Sequence, residues 1–284
     1  MSKLKQVLKN IIKTITGYEV QGVGRSSFAL ARGNVKAKFL YPATVILTET
    51  RDDEIDSTRR VYDYLCQRRL KTLLEKYQIN LVIDVGANEG QFASDLRQIG
   101  YQGKIISFEP ISSAFEILKA AASNDKNWDI HKLALGKQNA EQKIYISNDS
   151  VFTSFLKSND WCEQEFGEES VGKQEETVIV RRLDELLNET VDNLDRARIY
   201  LKMDTQGYDL EVFMGLGNIH EQVFALQSEV SVVPIYQEMP HLTDSILFFE
   251  QAGFDIAGMY PVSTEKSGLR VVEFDCLMVR SPSV

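Results

Sequence analysis

The run Leu81-Val82-Ile83-Asp84-Val85-Gly86-Ala87-Asn88-Glu89-Gly90 carries the strongest structural signal in the chain. Its first five residues are short and mostly apolar, the texture of a strand buried on both faces of a parallel sheet. They run into a turn with two glycines, and a helical pattern follows with Phe92, Leu96 and Ile99 on one face. A strand, a glycine-containing turn and a helix, in that order, place a ligand site at the carboxyl edge of a sheet.

Downstream the alternation continues. Residues 104–109 read as a second strand ending in Glu109-Pro110, followed by a helix through Phe115, Ile117 and Leu118. Residues 128–135 read as a third strand. The polar stretch 136–196, with β-like runs at 142–146 and 177–180, is expected to cover one end of the sheet. Residues 199–204 resume the pattern, then a helix near 208–214, a strand at 223–230 and a helix at 241–252. The β-like runs 254–262 and 271–279 are joined by a short segment holding Thr264, Lys266, Ser267 and Gly268. That join suits a hairpin, because a parallel crossover needs a dozen residues or more. Strands alternating with helices predict an α/β fold with a largely parallel sheet.

Upstream, Ser57 reads as an N-cap, with Val61, Leu65, Leu73, Leu74 and Tyr77 supplying a helical stripe that stops before Gln78. Residues 35–40 and 44–47 suit a small hairpin or cap. Residues 1–79 are therefore expected to form an N-terminal extension and 80–284 the main domain. In the first eighteen residues, Leu4, Val7, Leu8, Ile11, Ile12 and Ile15 fall at helical spacing. Lys9 and Lys13 interrupt the apolar run that a signal peptide would need. The stretch 3–15 is expected to pack on its own domain or to rest on a membrane surface or a partner.

The chain has 284 residues, 43% hydrophobic and 26% charged, within the range of globular proteins. Its net charge of -9 argues against a nucleic-acid partner, which needs a basic surface. Cys66, Cys162 and Cys276 lack a CxxC pairing and suit free thiols in a reducing, cytoplasmic setting. No run is long enough to span a bilayer.

Two cofactor classes compete for the turn after residue 85. A dinucleotide site wants G-x-G-x-x-G, with bare N–H groups facing pyrophosphate. Here the pattern is Gly86-x-x-x-Gly90, with Asn88 where the second glycine belongs. S-adenosylmethionine has no phosphates and tolerates that turn. Glu109, 19 residues after Gly90, ends the adjacent strand and is placed to accept from ribose hydroxyls. Asp84 is a candidate to orient the loop or reach the amino group of the methionine head.

The sequence resembles the FkbM family of methyltransferases. The similarity rests on Asp84-Val85-Gly86-Ala87-Asn88-Glu89-Gly90, Phe108-Glu109-Pro110, Ala134-Leu135-Gly136, Arg182-Leu183-Asp184-Glu185-Leu186 and Leu201-Lys202-Met203-Asp204-Thr205-Gln206-Gly207. Glu229 and Gly253-Phe254 fall where the family pattern puts them. The likeness covers residues 80–280. It implies a Rossmann-like class I methyltransferase fold: a mostly parallel seven-stranded sheet with a C-terminal antiparallel hairpin and helices on both faces. It also implies S-adenosylmethionine held by Asp84, Gly86, Ala87, Asn88, Gly90, Glu109, Pro110 and Ala134, and O-methylation of a hydroxyl on a small molecule or glycan. One departure stands out. The family often reads K-x-D-x-E-G where this chain has Gln206, which puts any role of that glutamate as base or metal ligand in doubt.

Methyl transfer to an alcohol needs collinear alignment and gains from a base. Asp204, at the end of the fourth strand, is the first candidate for base, with Lys202 on the same side as its charge partner. Asp204 and Glu229, 25 residues apart, are candidate ligands for a divalent cation. His241, in a predicted lid loop with Tyr236 and Met239, is a candidate proton shuttle, whereas His131 and His220 fit structural positions. A nucleic-acid amino-methyltransferase would carry (N/D)-P-P-(Y/F) at 204–207, which is absent. The alternative outside enzymology is a non-catalytic S-adenosylmethionine-binding or scaffold protein of the same fold.

Overall fold

The computed structural model describes residues 3–16, 18–22, 28–32, 35–40, 44–49 and 54–282. The chain divides into two compact units, Met1–Val61 and Tyr62–Val284. The first holds helix α1 (Lys3–Thr16) and two antiparallel hairpins, β1 (Tyr18–Gly22) with β2 (Phe28–Arg32) and β3 (Val35–Leu40) with β4 (Thr44–Glu49). The dividing point falls inside α2 (Glu54–Lys76). This helix starts earlier than the sequence suggests, so Ser57 lies within it and not at its cap. Leu73 and Leu74 are buried as expected, but Leu65 is exposed.

The second unit is built on a seven-stranded sheet. Its elements in chain order are β5 (Leu81–Val85), α3 (Gln91–Gln98), β6 (Lys104–Phe108), α4 (Ser112–Ala122), β7 (Trp128–His131), β8 (Ala134–Leu135), β9 (Ala140–Ser147), α5 (Asp160–Phe166) and β10 (Gly172–Arg181). Then come α6 (Leu183–Thr190), β11 (Ile199–Met203), α7 (Asp209–Met214), β12 (Val223–Ser231), α8 (Leu242–Gln251), β13 (Phe254–Thr264) and β14 (Val271–Arg280). The sheet order is β13-β14-β12-β11-β5-β6-β7, parallel from β12 to β7 and closed by the antiparallel β13–β14 hairpin. Order reverses between β5 and β11, and ligands of open α/β sheets bind in the crevice at such a reversal. This is the class I methyltransferase topology.

Alternation along the central strands explains the two layers. Leu81, Ile83 and Val85 face a core with Leu183 and Leu187 of α6, Val212 of α7 and Phe249 of α8. Val82 faces the other core, with Leu73 of α2, Leu96 of α3 and Leu118 of α4. Each fully buried side chain of this size contributes about 1.5–3 kcal/mol. On β11, Leu201 and Met203 join the first core and Tyr200 the second, so Lys202 falls on the same side as Asp84.

Two expectations are corrected. The third strand is broken: β7 ends at His131, and β8 leaves the main sheet to pair with β10, which in turn pairs with β9. The 136–196 excursion thus supplies two strands of a separate three-stranded sheet, with β8 as the third. Ile117 points to solvent, and α4 packs instead through Ala114, Leu118 and Ala122.

Candidate active site

The turn after β5 uses its own donors. The N–H groups of Gly86 and Ala87 both donate to the Phe108 carbonyl at 3.0 Å, and that of Gly90 donates to the Ala87 carbonyl at 2.8 Å. The Asn88 N–H donates to Glu109 Oε2 at 2.9 Å, while Glu109 Oε1 accepts from the Ile111 N–H at 2.8 Å. Glu109 therefore clasps the turn to the end of β6. Burial raises its pKa to about 7 against the pull of those two N–H groups. Asn88 lies in the left-handed region at φ 47°; its amide nitrogen reaches Ser150, and its buried Oδ1 has no partner.

The two glycines are required by close packing within the protein. A Cβ on Gly86 would stand 1.9 Å from the Asp204 carbonyl oxygen, and one on Gly90 would stand 2.9 Å from both Leu118 and Trp128. Both have positive φ. They let the turn close on the protein itself, bringing the ends of β5 and β11 together.

Asp84 is wholly buried behind the turn. Its Oδ2 accepts from the Ser107 hydroxyl at 3.0 Å, and Ser107 Oγ accepts from the Trp128 indole N–H at 2.9 Å. Lys202 Nζ lies 3.6 Å from Asp84 Oδ1 and 3.1 Å from Asp204 Oδ2. Burial works against the Lys202 ammonium, but the Asp204 and Asp84 carboxylates outweigh it and hold its pKa above that of a free lysine. Asp204 is different: its side chain is 41% exposed, so a carboxylate braced from behind faces the crevice.

The turn after β11 is held by residues that sequence reasoning missed. Asp209, buried at the start of α7, accepts from Thr205 N–H at 3.0 Å and its hydroxyl at 2.5 Å through Oδ1. Its Oδ2 accepts from Ser228 Oγ at 2.7 Å and the Glu229 N–H at 3.2 Å. Gln206 takes a left-handed φ of 53°, unusual for a side-chain-bearing residue. Its Nε2 donates to Glu229 Oε2 at 2.6 Å and Asp204 Oδ1 at 3.3 Å, and its Oε1 accepts from Tyr236 at 2.8 Å. Ser154 Oγ donates to the Gln206 carbonyl at 2.7 Å. A small polar residue before a helix is the only sequence trace of Asp209; Ser154 left none.

Asp204 and Glu229 do meet, but through that amide. The Gln206 NH2 group stands between the two carboxylates, the place a shared cation would need, and no cluster of three potential ligands occurs among the described residues. These residues do not fit a metal centre. Burial, and then the Glu273 carboxylate, push Glu229 well above the usual carboxylate range. His241 caps α8: its Nδ1 accepts from the Thr243 N–H at 3.2 Å, and Asp244 returns a bond to its backbone. Ala87 is buried under the turn, and Ala134 packs with Ile111 and Ala114 beside Pro110. Beyond Tyr236, a cavity of about 440 Å³ is lined by Tyr145, Phe152, Leu156, Lys157 and Tyr236 among others. Leu156 also abuts Gly207, so this cavity shares walls with the Gln206–Gly207 turn.

The chain is similar to solved structures at low sequence identity. Fibrillarin from Aeropyrum pernix with bound S-adenosyl-L-methionine is 12% identical, with 92% of this chain and 99% of that chain covered and a TM-score of 0.44. Magnesium protoporphyrin IX methyltransferase from Synechocystis PCC 6803, also with the cofactor bound, is 11% identical over 82% and 87%, with a TM-score of 0.43. An rRNA methylase from Streptococcus thermophilus is 11% identical over 77% and 95%, with a TM-score of 0.40. No curated protein matches the chain in sequence. The Methyltransferase FkbM domain model matches residues 84–256, the span that holds both clasped turns and the Asp204–Gln206–Glu229 bridge, and the chain belongs to the FkbM methyltransferase family.

Proposed function

We propose that this chain binds S-adenosylmethionine at the β5 turn and methylates a hydroxyl group on a small molecule or glycan, with Asp204 as the base. One observation carries the cofactor reading. The N–H groups of Gly86, Ala87, Asn88 and Gly90 are all spent within the protein, while the turn holds acceptors, the unpartnered Asn88 Oδ1 and the Glu109 carboxylate. Such a site suits a ligand that brings its own donors, an ammonium and ribose hydroxyls, and not a pyrophosphate that needs them.

When bound there, S-adenosylmethionine supplies an electrophilic methyl group. The chain's part is to hold the acceptor oxygen in line and receive its proton. Asp204 accepts the hydrogen bond of the acceptor hydroxyl and takes the proton as the oxygen attacks, then passes it to water. Lys202 stays charged and orients Asp204 from within. Gln206, fixed by Tyr236 and Glu229, holds the second oxygen of Asp204. The cavity behind Tyr236, with aromatic and polar walls, is offered to the body of the acceptor. The net charge of -9 supports a small acceptor over a nucleic acid.

The test uses methyl-labelled S-adenosylmethionine with alcohols, phenols and methyl glycosides, locating the label by NMR. Label on oxygen, lost in Asp204→Asn while cofactor binding persists, is the expected result. Label on nitrogen or carbon removes the hydroxyl assignment. Cofactor binding with no turnover on any acceptor points to the scaffold alternative.

A further inference from the structure

Helix α1 has an apolar stripe that leaves two isoleucines to water. On a helical projection of Lys3–Thr16, Leu4, Leu8, Ile11 and Ile15 form the middle of the stripe, with Val7 and Ile12 at its edges. Ile11 is 48% exposed and Ile15 77% exposed, while Ile12 at the edge is partly buried. A helix that only packed on its own unit would bury the centre of its stripe first. Burying those isoleucines elsewhere is a gain this helix leaves unrealised.

The charge pattern says what should cover it. Lys3, Lys5, Lys9 and Lys13 lie on the flanks and back of the helix, and the first eighteen residues contain no acid. With a net charge of -9 overall, the rest of the chain carries -13. Fourteen residues are too few to cross a bilayer, and no described helix is long and apolar enough to do so. A basic amphipathic helix with an open apolar stripe fits the headgroup region of an anionic lipid surface. A second copy docked stripe to stripe through the same helix would instead set lysines against lysines.

We propose that α1 lies on an anionic membrane surface, with Ile11 and Ile15 inserted among the lipid chains and the lysines over the headgroups. The proposal is independent of the methyltransfer chemistry. Full-length protein is floated with vesicles of phosphatidylcholine and phosphatidylglycerol in a three-to-one ratio, and with phosphatidylcholine alone. Expected is co-flotation with the anionic vesicles, weakened by high salt and slight with the neutral ones. Ile11→Asp/Ile15→Asp should reduce partitioning more than about tenfold, and Lys5→Gln/Lys9→Gln should reduce it about fivefold per charge. Circular dichroism and thermal melting of the same samples verify that each variant is folded. Absence of wild-type flotation, or equal flotation of wild type and the isoleucine variant, overturns the proposal. So does a vesicle-free dimer in ultracentrifugation that the isoleucine variant abolishes, since the stripe is then a self-interface.

Discussion

Glu109 shows how one side chain couples the turn to the medium. Its two oxygens hold the Asn88 and Ile111 N–H groups, and burial sets its pKa at about 7. A ribose hydroxyl donating to it favours the ionised form. Affinity for S-adenosylmethionine, measured calorimetrically, should therefore rise between pH 6 and pH 8, through that pKa of about 7. In Glu109→Gln the slope should vanish, and the amide turns a donor against one of the two N–H groups, costing about 1–3 kcal/mol in chemical denaturation. Gly86→Ala should be worse, about 3 kcal/mol or more, because the added carbon meets the Asp204 carbonyl and the backbone keeps a positive φ. Asp204→Asn should lower turnover by about 10²- to 10⁴-fold with cofactor affinity little changed, as read from rate and titration together.

Among the elements, β5, β6 and β7 are tied by side chains as well as by their ladders. The Trp128 indole donates to Ser107, and Ser107 donates to Asp84. Trp128→Phe should leave a buried acceptor short of its donor and lower stability by about 1–3 kcal/mol in thermal or denaturant melts. The Arg182-Leu183-Asp184 part of the family resemblance is structural here. Arg182 bonds Asp184 and the Lys137 carbonyl, and Leu183 is wholly buried at the start of α6. The three-stranded sheet was half legible: both long runs, 142–146 and 177–180, were visible as strands. The pairing of the second run with Ala134-Leu135 was not, because a dipeptide carries no period from which to read a partner.

At the scale of the molecule, acids dominate the second unit and burial makes several of them weak. Burial raises Glu273 to about 7 and Asp275 to about 6, against the pull of Ser263 and Ser231 on the first and Gln227 on the second. A carboxyl group with a raised folded-state pKa binds its proton more readily folded than unfolded. Such groups stabilise the fold below the unfolded value, and that contribution is lost as pH rises to the folded one. The melting temperature of the ligand-free protein should therefore fall from about pH 5 to about pH 8. Glu273→Gln should flatten that fall, as scanning calorimetry across the range would show.

Residues close together in sequence determined the sheet class, the C-terminal hairpin, the cofactor turn and the candidacy of Asp204. Alternation, turn composition and a carboxylate at a strand end are local properties, readable without knowing what lies alongside. Tertiary structure alone decided that Asp84 is a buried brace, that Gly86 makes room for Asp204, and that Gln206 stands between two acids. It also brought Ser154, Asp209 and Tyr236 to the turn after β11. Those roles depend on contacts between segments far apart along the chain, Asp84 with Lys202 and Gly86 with Asp204 among them. A charged or amide side chain acquires its function from the partner it meets, and one-dimensional order does not specify that partner.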